Sequence, residues 1–439
     1  MWKLIKLALS VVVTSLFFYP FPTTLLPSAN TKTIFACIGL AIFIVEYARK
    51  KSGQFPKDIA LLITSSLSIS LASYMAMVWN ETTDTAYAFY VVSAIVWCLS
   101  AYTMVWLLRK IDVQLSFNKL CDYIIIASVV QCMLAWIISR YPASKPFFAS
   151  FYAGFYGLDE FADGRLYGIG CCFDTGGVRL AISLILLASR LHAAIIAQKT
   201  KHVLMYAVAF VVIVAIGNMI ARTTTAGAML AIPCFIACWW LKAGGIRKSD
   251  LRSICLLGAV LIAGIFILSY EYNHSETMRK DLRYAFEGFF SLVEQGEWNV
   301  QSNEMLKEHW QVLPETPRTW IIGDGLMGPT TDDPYYVGPT YQGYYKRIDA
   351  GYLRFIFYFG LVGLTIFSLF MIYACVCVMQ RWREYTLELF LLLLLHFAVW
   401  IKVSTDLFFV FAMFLMLSLV LETSHPPQTK SPLKVATKG

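Results

Sequence analysis

Apolar runs close to twenty residues long recur from one end of this chain to the other. A run of that length crosses a hydrocarbon core of about 30 Å as a helix. Twelve are legible, at roughly 4–20, 33–48, 58–79, 86–108, 121–139, 176–197, 203–221, 224–241, 253–270, 351–378, 385–401 and 404–422. Hydrophobic residues make up 58% of the sequence and charged residues only 15%, with a mean hydropathy of +0.62. A soluble domain is about a quarter charged. The pattern predicts an all-α polytopic membrane protein of about twelve transmembrane helices, with the lipid bilayer as its solvent.

Lysine and arginine in the short connections set the orientation, because cytoplasmic loops hold the excess of both. Basic clusters fall in every second connection: RKKSGQFPK at 49–57, RKIDVQLSFNK at 109–119, QKTKH at 198–202, KAGGIRKSDLR at 242–252 and QRWRE at 380–384. The alternate connections at 21–31 and 80–85 have neither residue, and only Arg222 and Lys402, each in a very short outer turn, run against the trend. Both termini are therefore expected in the cytoplasm. The net charge of +8 is the same signal seen in bulk. Residues 271–350 hold 13 acids and 7 bases, so the rest of the chain is more basic still, and no nucleic-acid partner is implied.

Four regions follow: helices 1–9 over 1–270, with an outer loop at 141–176; a large outer loop at 271–350; helices 10–12 over 351–422; and a polar tail at 423–439, expected to be disordered. The start, MWKLIKLALSVVVTSLFF, has the charge and length of a secretory signal but no small-x-small site before Tyr19-Pro20, so a retained helix is expected. Within the large loop, Met278, Leu282, Ala285, Phe286, Phe289, Phe290 and Val293 share one helical face, which predicts an interfacial helix over about 276–311. Beyond Pro314 irregular backbone is expected. The eleven cysteines lie mostly inside predicted helices as small apolar residues. There is no metal-ligand spacing, Walker loop or dinucleotide fingerprint, which argues against an ATP-driven pump.

Three groups of residues carry chemistry. Arg222 opens RTTTAGAML at an outer helix junction; an arginine at the membrane boundary marks function or serves as a helix cap or lipid anchor. The Thr223–Thr225 run is placed to cap the eighth helix and turn its N–H groups to an anion. Arg165 and Arg179 flank the outer end of the sixth helix, and their planar forks suit diphosphate unless Asp159, Glu160, Asp163 or Asp174 takes them. Arg190, on the same helix, is expected to snorkel to the cytoplasm. Lys346, Arg347, Asp349 and Arg354 crowd the point where the large loop re-enters the membrane. Flanking cations favour an ionised Asp349, as a general base or sugar-hydroxyl acceptor, and the same aspartate is placed to be an N-cap. Tyr335, Tyr336, Tyr341, Tyr344, Tyr345 and Tyr352 make either a sugar-stacking surface or an interfacial belt. His274 and His309 have no partner at informative spacing and read as bland polar residues.

In these motifs the chain resembles the superfamily of bacterial O-antigen polymerases and O-antigen ligases. The likeness covers roughly residues 140–380: R-x-x-G at Arg165–Gly168, the boundary Arg222 with its hydroxyl residues, an IGDG turn at Ile322–Gly325, D-x-G-Y-L at Asp349–Leu353 and GLVG at Gly360–Gly363. The ligase branch ends its large loop on a histidine where this chain has Asp349, a departure that favours the polymerase branch. The resemblance implies a metal-independent glycosyltransferase with no cofactor, in the bacterial inner membrane with its active face periplasmic. Its substrate would be an undecaprenyl-diphosphate-linked oligosaccharide, and a chain-length regulator protein is a candidate partner. Arg165 and Arg222 would hold the diphosphate with Asp349 at the acceptor hydroxyl; Arg179, Arg347 and Arg354 would assist binding, and Tyr344, Tyr345 and Tyr352 would line the sugar site. A flippase should instead have short loops on both sides, and an ion-coupled transporter should carry acids at mid-membrane.

Overall fold

All twelve apolar runs are helical in the structure, a computed structural model that describes residues 1–49, 56–162, 164–243, 247–328 and 343–424. The helices are α1 (Trp2–Phe18), α2 (Thr31–Arg49), α3 (Lys57–Asn80), α4 (Tyr90–Ile111), α5 (Phe117–Arg140), α6 (Phe173–Ile196), α7 (Thr200–Ile220), α8 (Thr224–Cys238), α9 (Leu251–His274), α10 (Gly351–Arg381), α11 (Thr386–Val399) and α12 (Phe408–Ser424). Eight of them, α3 to α10, are long and apolar enough to cross a membrane. The expected twelve crossings are not reached on that criterion. α8 qualifies together with the turn that follows it, as Thr224–Leu241, whereas α1, α11 and α12 run to 17, 14 and 17 residues. The strands in the described residues are a small hairpin, β1 (Pro22–Thr23) and β2 (Leu26–Asn30), between α1 and α2.

α6 forms the centre of the bundle: 72% of its apolar window is buried, against 11% for α9 at the periphery. Small residues let α6 and α8 touch. A Cβ on Gly227 would lie 2.2 Å from the Ala181 Cα, a crossing only glycine permits. In the C-terminal half of α6, Arg190 does not simply reach for water as expected. Its Nε and Nη2 donate to both oxygens of Asp122 at 2.8 and 3.1 Å, and the Tyr206 hydroxyl donates to the same carboxylate at 2.6 Å. Pairing is what makes these charges tolerable in the bundle.

α10 is not one continuous helix. Phe359 and Gly360 leave helical geometry, Gly360 with φ 67° and ψ −174°. The IGDG turn docks into this break: the N–H groups of Asp324 and Gly325 donate to the carbonyls of Phe357 and Tyr358 at 2.6 and 3.0 Å. Broken helices persist at membrane depth only where such carbonyls find partners inside the protein. The α3–α4 connection grips the other side of the turn. Asn80 and Thr82 donate to the carbonyls of Gly323 and Gly325, and Asp84 accepts from the N–H groups of Met327 and Gly328. Two motifs that carried the family resemblance, IGDG and GLVG, thus meet as one structural joint.

The predicted interfacial helix is three shorter ones, Glu276–Ala285, Glu287–Gln295 and Gln301–Gln311. Met278, Leu282 and Ala285 are buried as the periodicity requires, but the break at Phe286 turns the face, and Phe289 and Val293 are exposed. Pro317–Ile321 adds a further helical turn inside the stretch expected to be irregular. Tyr335, Tyr336 and Tyr341, Asp163, and the tail from 425 onward lie outside the described residues.

Candidate functional site

Several of the connections between helices converge on one polar region. Tyr284, at the end of Glu276–Ala285, lies under two arginines: the guanidinium of Arg222 is 4.3 Å from its ring centre and that of Arg165 is 5.7 Å. The two cations of the predicted clamp are therefore brought to one ring, one from the α5–α6 loop and one from the α7–α8 turn. They differ in availability. Arg222 is tied down by the Tyr284 carbonyl at 3.0 Å, Ser302 Oγ at 3.2 Å and the Glu287 carboxylate at 2.6 Å. Arg165 forms no ion pair among the described residues. Two of the acids expected to compete for it are engaged elsewhere: Asp159 binds Lys145 and Tyr167, and Asp174 faces Lys402 at 3.5 Å.

The hydroxyl run beside Arg222 does not cap α8 as expected. Thr224 and Thr225 turn back to Gly217 O and Asn218 Oδ1 on α7, and Thr223 makes no side-chain cap. Arg222 also separates two clefts. One, of about 250 Å³, runs inward past Thr223, Trp298, Ala398 and Lys402, and the other, of about 640 Å³, opens past Tyr284, Glu294 and Glu304.

Asp349 stands just before α10. It is not the N-cap; that position is Ala350. One carboxylate oxygen of Asp349 is buried with no hydrogen-bond partner, an expensive state unless a ligand or proton completes it. Its backbone N–H donates to His309 Nδ1 at 3.3 Å, so a histidine that looked bland in sequence packs against the element that ends the large loop. Burial raises the Asp349 carboxyl above the usual carboxylate value, and the negative field of Asp174 adds to the shift. Arg354, Lys402 and His309 pull it partly back. The expectation of a simply ionised aspartate is thereby modified: loss of hydration opposes the flanking cations.

Arg354 lies 3.9 Å from the Tyr344 ring centre, and its buried Nε has no hydrogen-bond partner. Burial raises the Tyr344 hydroxyl; Asp349 and Asp174 add to the rise and Arg354 opposes it. Burial likewise raises Tyr284, against the fields of Arg165 and Arg222, with Asp174 again opposing them. The negative field of Asp174 reaches Tyr284, Tyr344 and Asp349 alike.

The remaining predicted residues are less central. Tyr345 donates to Asp324 at 3.2 Å and Tyr352 to the Phe397 carbonyl at 3.0 Å, so both hydroxyls serve the scaffold. Arg347 is exposed, with a left-handed φ of 60°. Arg179 faces inward, 5.2 Å from the Phe409 ring centre. Sequence reasoning passed over Tyr284, which stands outside every motif and is revealed only by its contacts with Arg222 and Arg165. Among the described residues no group of three or more His, Cys, Asp or Glu side chains is arranged to hold a metal ion.

No family model, no curated protein and no solved structure matches this chain. The class that the fold itself defines is an integral membrane protein of apolar helices with a polar region built from their connections.

Proposed function

We propose that this chain is a glycosyltransferase that polymerises undecaprenyl-diphosphate-linked oligosaccharide repeat units into O-antigen or a related surface polysaccharide. In this reading all twelve helices cross the bacterial inner membrane, both termini are cytoplasmic and the polar region faces the periplasm. The observation that carries it is the Asp349 carboxylate, buried with an oxygen lacking a partner, beside Arg354 and within the field of Lys402. Arg165 lies 5.7 Å from the Tyr284 ring centre, and the field of Asp174 reaches both Tyr284 and Asp349.

The chemistry follows from these positions. Asp349 takes the proton of the acceptor hydroxyl as that oxygen attacks the anomeric carbon. The new glycosidic C–O bond forms while the bond from the anomeric carbon to the diphosphate oxygen breaks. The electron pair leaves with the diphosphate, whose added charge Arg165 and Arg354 meet with donors already in place. Arg222, held by Glu287, positions the Tyr284 platform and needs no part in the charge transfer. Tyr344, on the face of Arg354, is placed for a sugar ring.

A second reading, ligation of a finished glycan to a lipid A core acceptor, gains support from His309 against Asp349. One experiment separates the readings: glycan length on gels from cells lacking the gene, complemented with wild type, Asp349→Ala or Asp349→Asn. Polymerisation predicts a single-repeat product in the knockout, a ladder restored by wild type, and no ladder with either variant. Full-length lipid-linked chains accumulating in the knockout would make it a ligase. Units trapped on the cytoplasmic side would make it a transporter. A ladder with Asp349→Asn would remove the base from the mechanism.

A further inference from the structure

Two further cations share one aromatic pair and make no ion pair among the described residues. Lys32, in the first turn of α2, sits over Trp97 with its Nζ 4.3 Å from the ring centre. Trp97 packs on Phe409 at 5.2 Å between centroids, and the Arg179 guanidinium lies 5.2 Å from the centre of that same Phe409 ring. Both cations therefore rest on one aromatic pair, near enough for each to feel the other's charge. An arginine has five N–H donors. Among the described residues Arg179 places one, from Nη1 to the Thr175 carbonyl at 3.4 Å, and its buried Nε has none. Lys32 makes no hydrogen bond or ion pair among them. The other ionisable groups whose fields reach Arg179 are Tyr19, Cys171 and Cys172, uncharged at neutral pH. The acid whose field reaches Lys32 is Asp406. Its two oxygens are already taken, by Phe408 N–H at 2.7 Å and the Tyr90 hydroxyl at 2.7 Å. Two like charges largely withdrawn from water, with one engaged carboxylate whose field reaches Lys32 alone, are costly unless an anion completes the set.

We infer that Lys32 and Arg179, over the Trp97–Phe409 pair, form a second phosphate-binding site at the outer ends of α2 and α6, separate from Arg165 and Arg354. The inference rests on the proposed polymerisation and makes it more specific. When donor and acceptor are both lipid-linked, each brings a diphosphate, and the reaction needs two such sites at once. A ligase, whose acceptor is of another kind, needs one. The Arg165–Arg354 side, next to Asp349, takes the diphosphate that leaves. The Lys32–Arg179 site takes the one that stays on the acceptor, anchoring it while its sugar reaches Asp349.

The probe is farnesyl diphosphate titrated calorimetrically into the purified full-length protein in neutral-lipid nanodiscs. Inorganic pyrophosphate serves as the lipid-free comparison. Wild type should bind two equivalents of farnesyl diphosphate. Lys32→Gln with Arg179→Gln should bind one, its second site weakened by more than about tenfold. Arg165→Gln should lose the other. Lys32→Arg with Arg179→Lys, which keeps both charges, should recover the second equivalent and so exclude a folding defect. Pyrophosphate binding at the Lys32–Arg179 site as tightly as farnesyl diphosphate would assign it to free phosphate and overturn the acceptor role. One equivalent in wild type, or two in Lys32→Gln with Arg179→Gln, would overturn the second site whatever the cellular glycans show. Two equivalents in a protein whose deletion leaves glycan length unchanged would instead sink the polymerase reading and leave the anion site standing.

Discussion

At the scale of single residues, protonation is governed by a balance between lost hydration and local fields, and Asp349 shows it most clearly. Its carboxyl is raised by burial first and by Asp174 second, while Arg354, Lys402 and His309 lower it. A base works only when deprotonated, so the acid limb of the rate–pH profile should lie above the ordinary aspartate value of about 3.9. Removing a negative neighbour must move that limb down and removing a positive one must move it up. Asp174→Asn is expected to shift it to lower pH and Lys402→Gln to higher pH, read from polymerisation rates of the purified protein between pH 4 and 8. A limb that stays put in both variants would mean that another group titrates. Arg222 illustrates the opposite case, a charge already spent on structure. Arg222→Ala should loosen the helices it ties, with faster amide exchange over residues 284–302, whereas Arg165→Ala should leave exchange there unchanged. Equal effects would show that Arg222 is no more structural than Arg165.

At the scale of elements, the joint between the IGDG turn and the break in α10 positions everything that follows. Gly360 has a φ and ψ that are nearly glycine's alone, and a Cβ there would lie 2.1 Å from the Ile321 carbonyl oxygen. Gly154 has a similar φ of 73° but open space around it, with nothing within 4 Å of a Cβ. The pair separates strain from collision. Gly154→Ala should cost about 1–2 kcal/mol from the backbone alone. Gly360→Ala should cost about 3 kcal/mol or more and expose the 317–325 segment to protease. Thermal unfolding in detergent with limited proteolysis measures both; equal losses would mean that the turn does not dock as described. The helices of the large loop follow a second rule. A short amphipathic helix holds its face only until its first break, so Phe286 decides which aromatics are buried.

At the scale of the whole molecule, membrane topology is the property to test. Alkaline phosphatase fused after residue 300 should be active, and fused after residue 112 inactive; the reverse would invert the proposed orientation and place Asp349 in the cytoplasm. The position of all twelve helices was legible in the sequence, because burying a backbone in hydrocarbon demands about twenty consecutive apolar residues per crossing. Whether α1, α2, α11 and α12 each complete a crossing was not, since short apolar runs also suit helices buried in a bundle. Of the candidate site, Arg165, Arg222, Arg354 and Asp349 stood out in the sequence from charge placed at a membrane boundary, where it is expensive enough to be conspicuous. Tyr284 and the contact of His309 with Asp349 did not, because each depends on a residue far along the chain. By itself, then, the sequence determined that this is a helical protein of apolar, membrane-length runs with its charged residues gathered in the connections, since hydropathy is a local sum. Only the tertiary structure decided which cations are tied to carboxylates and which remain open to an anion, because pairing is a matter of distance in space.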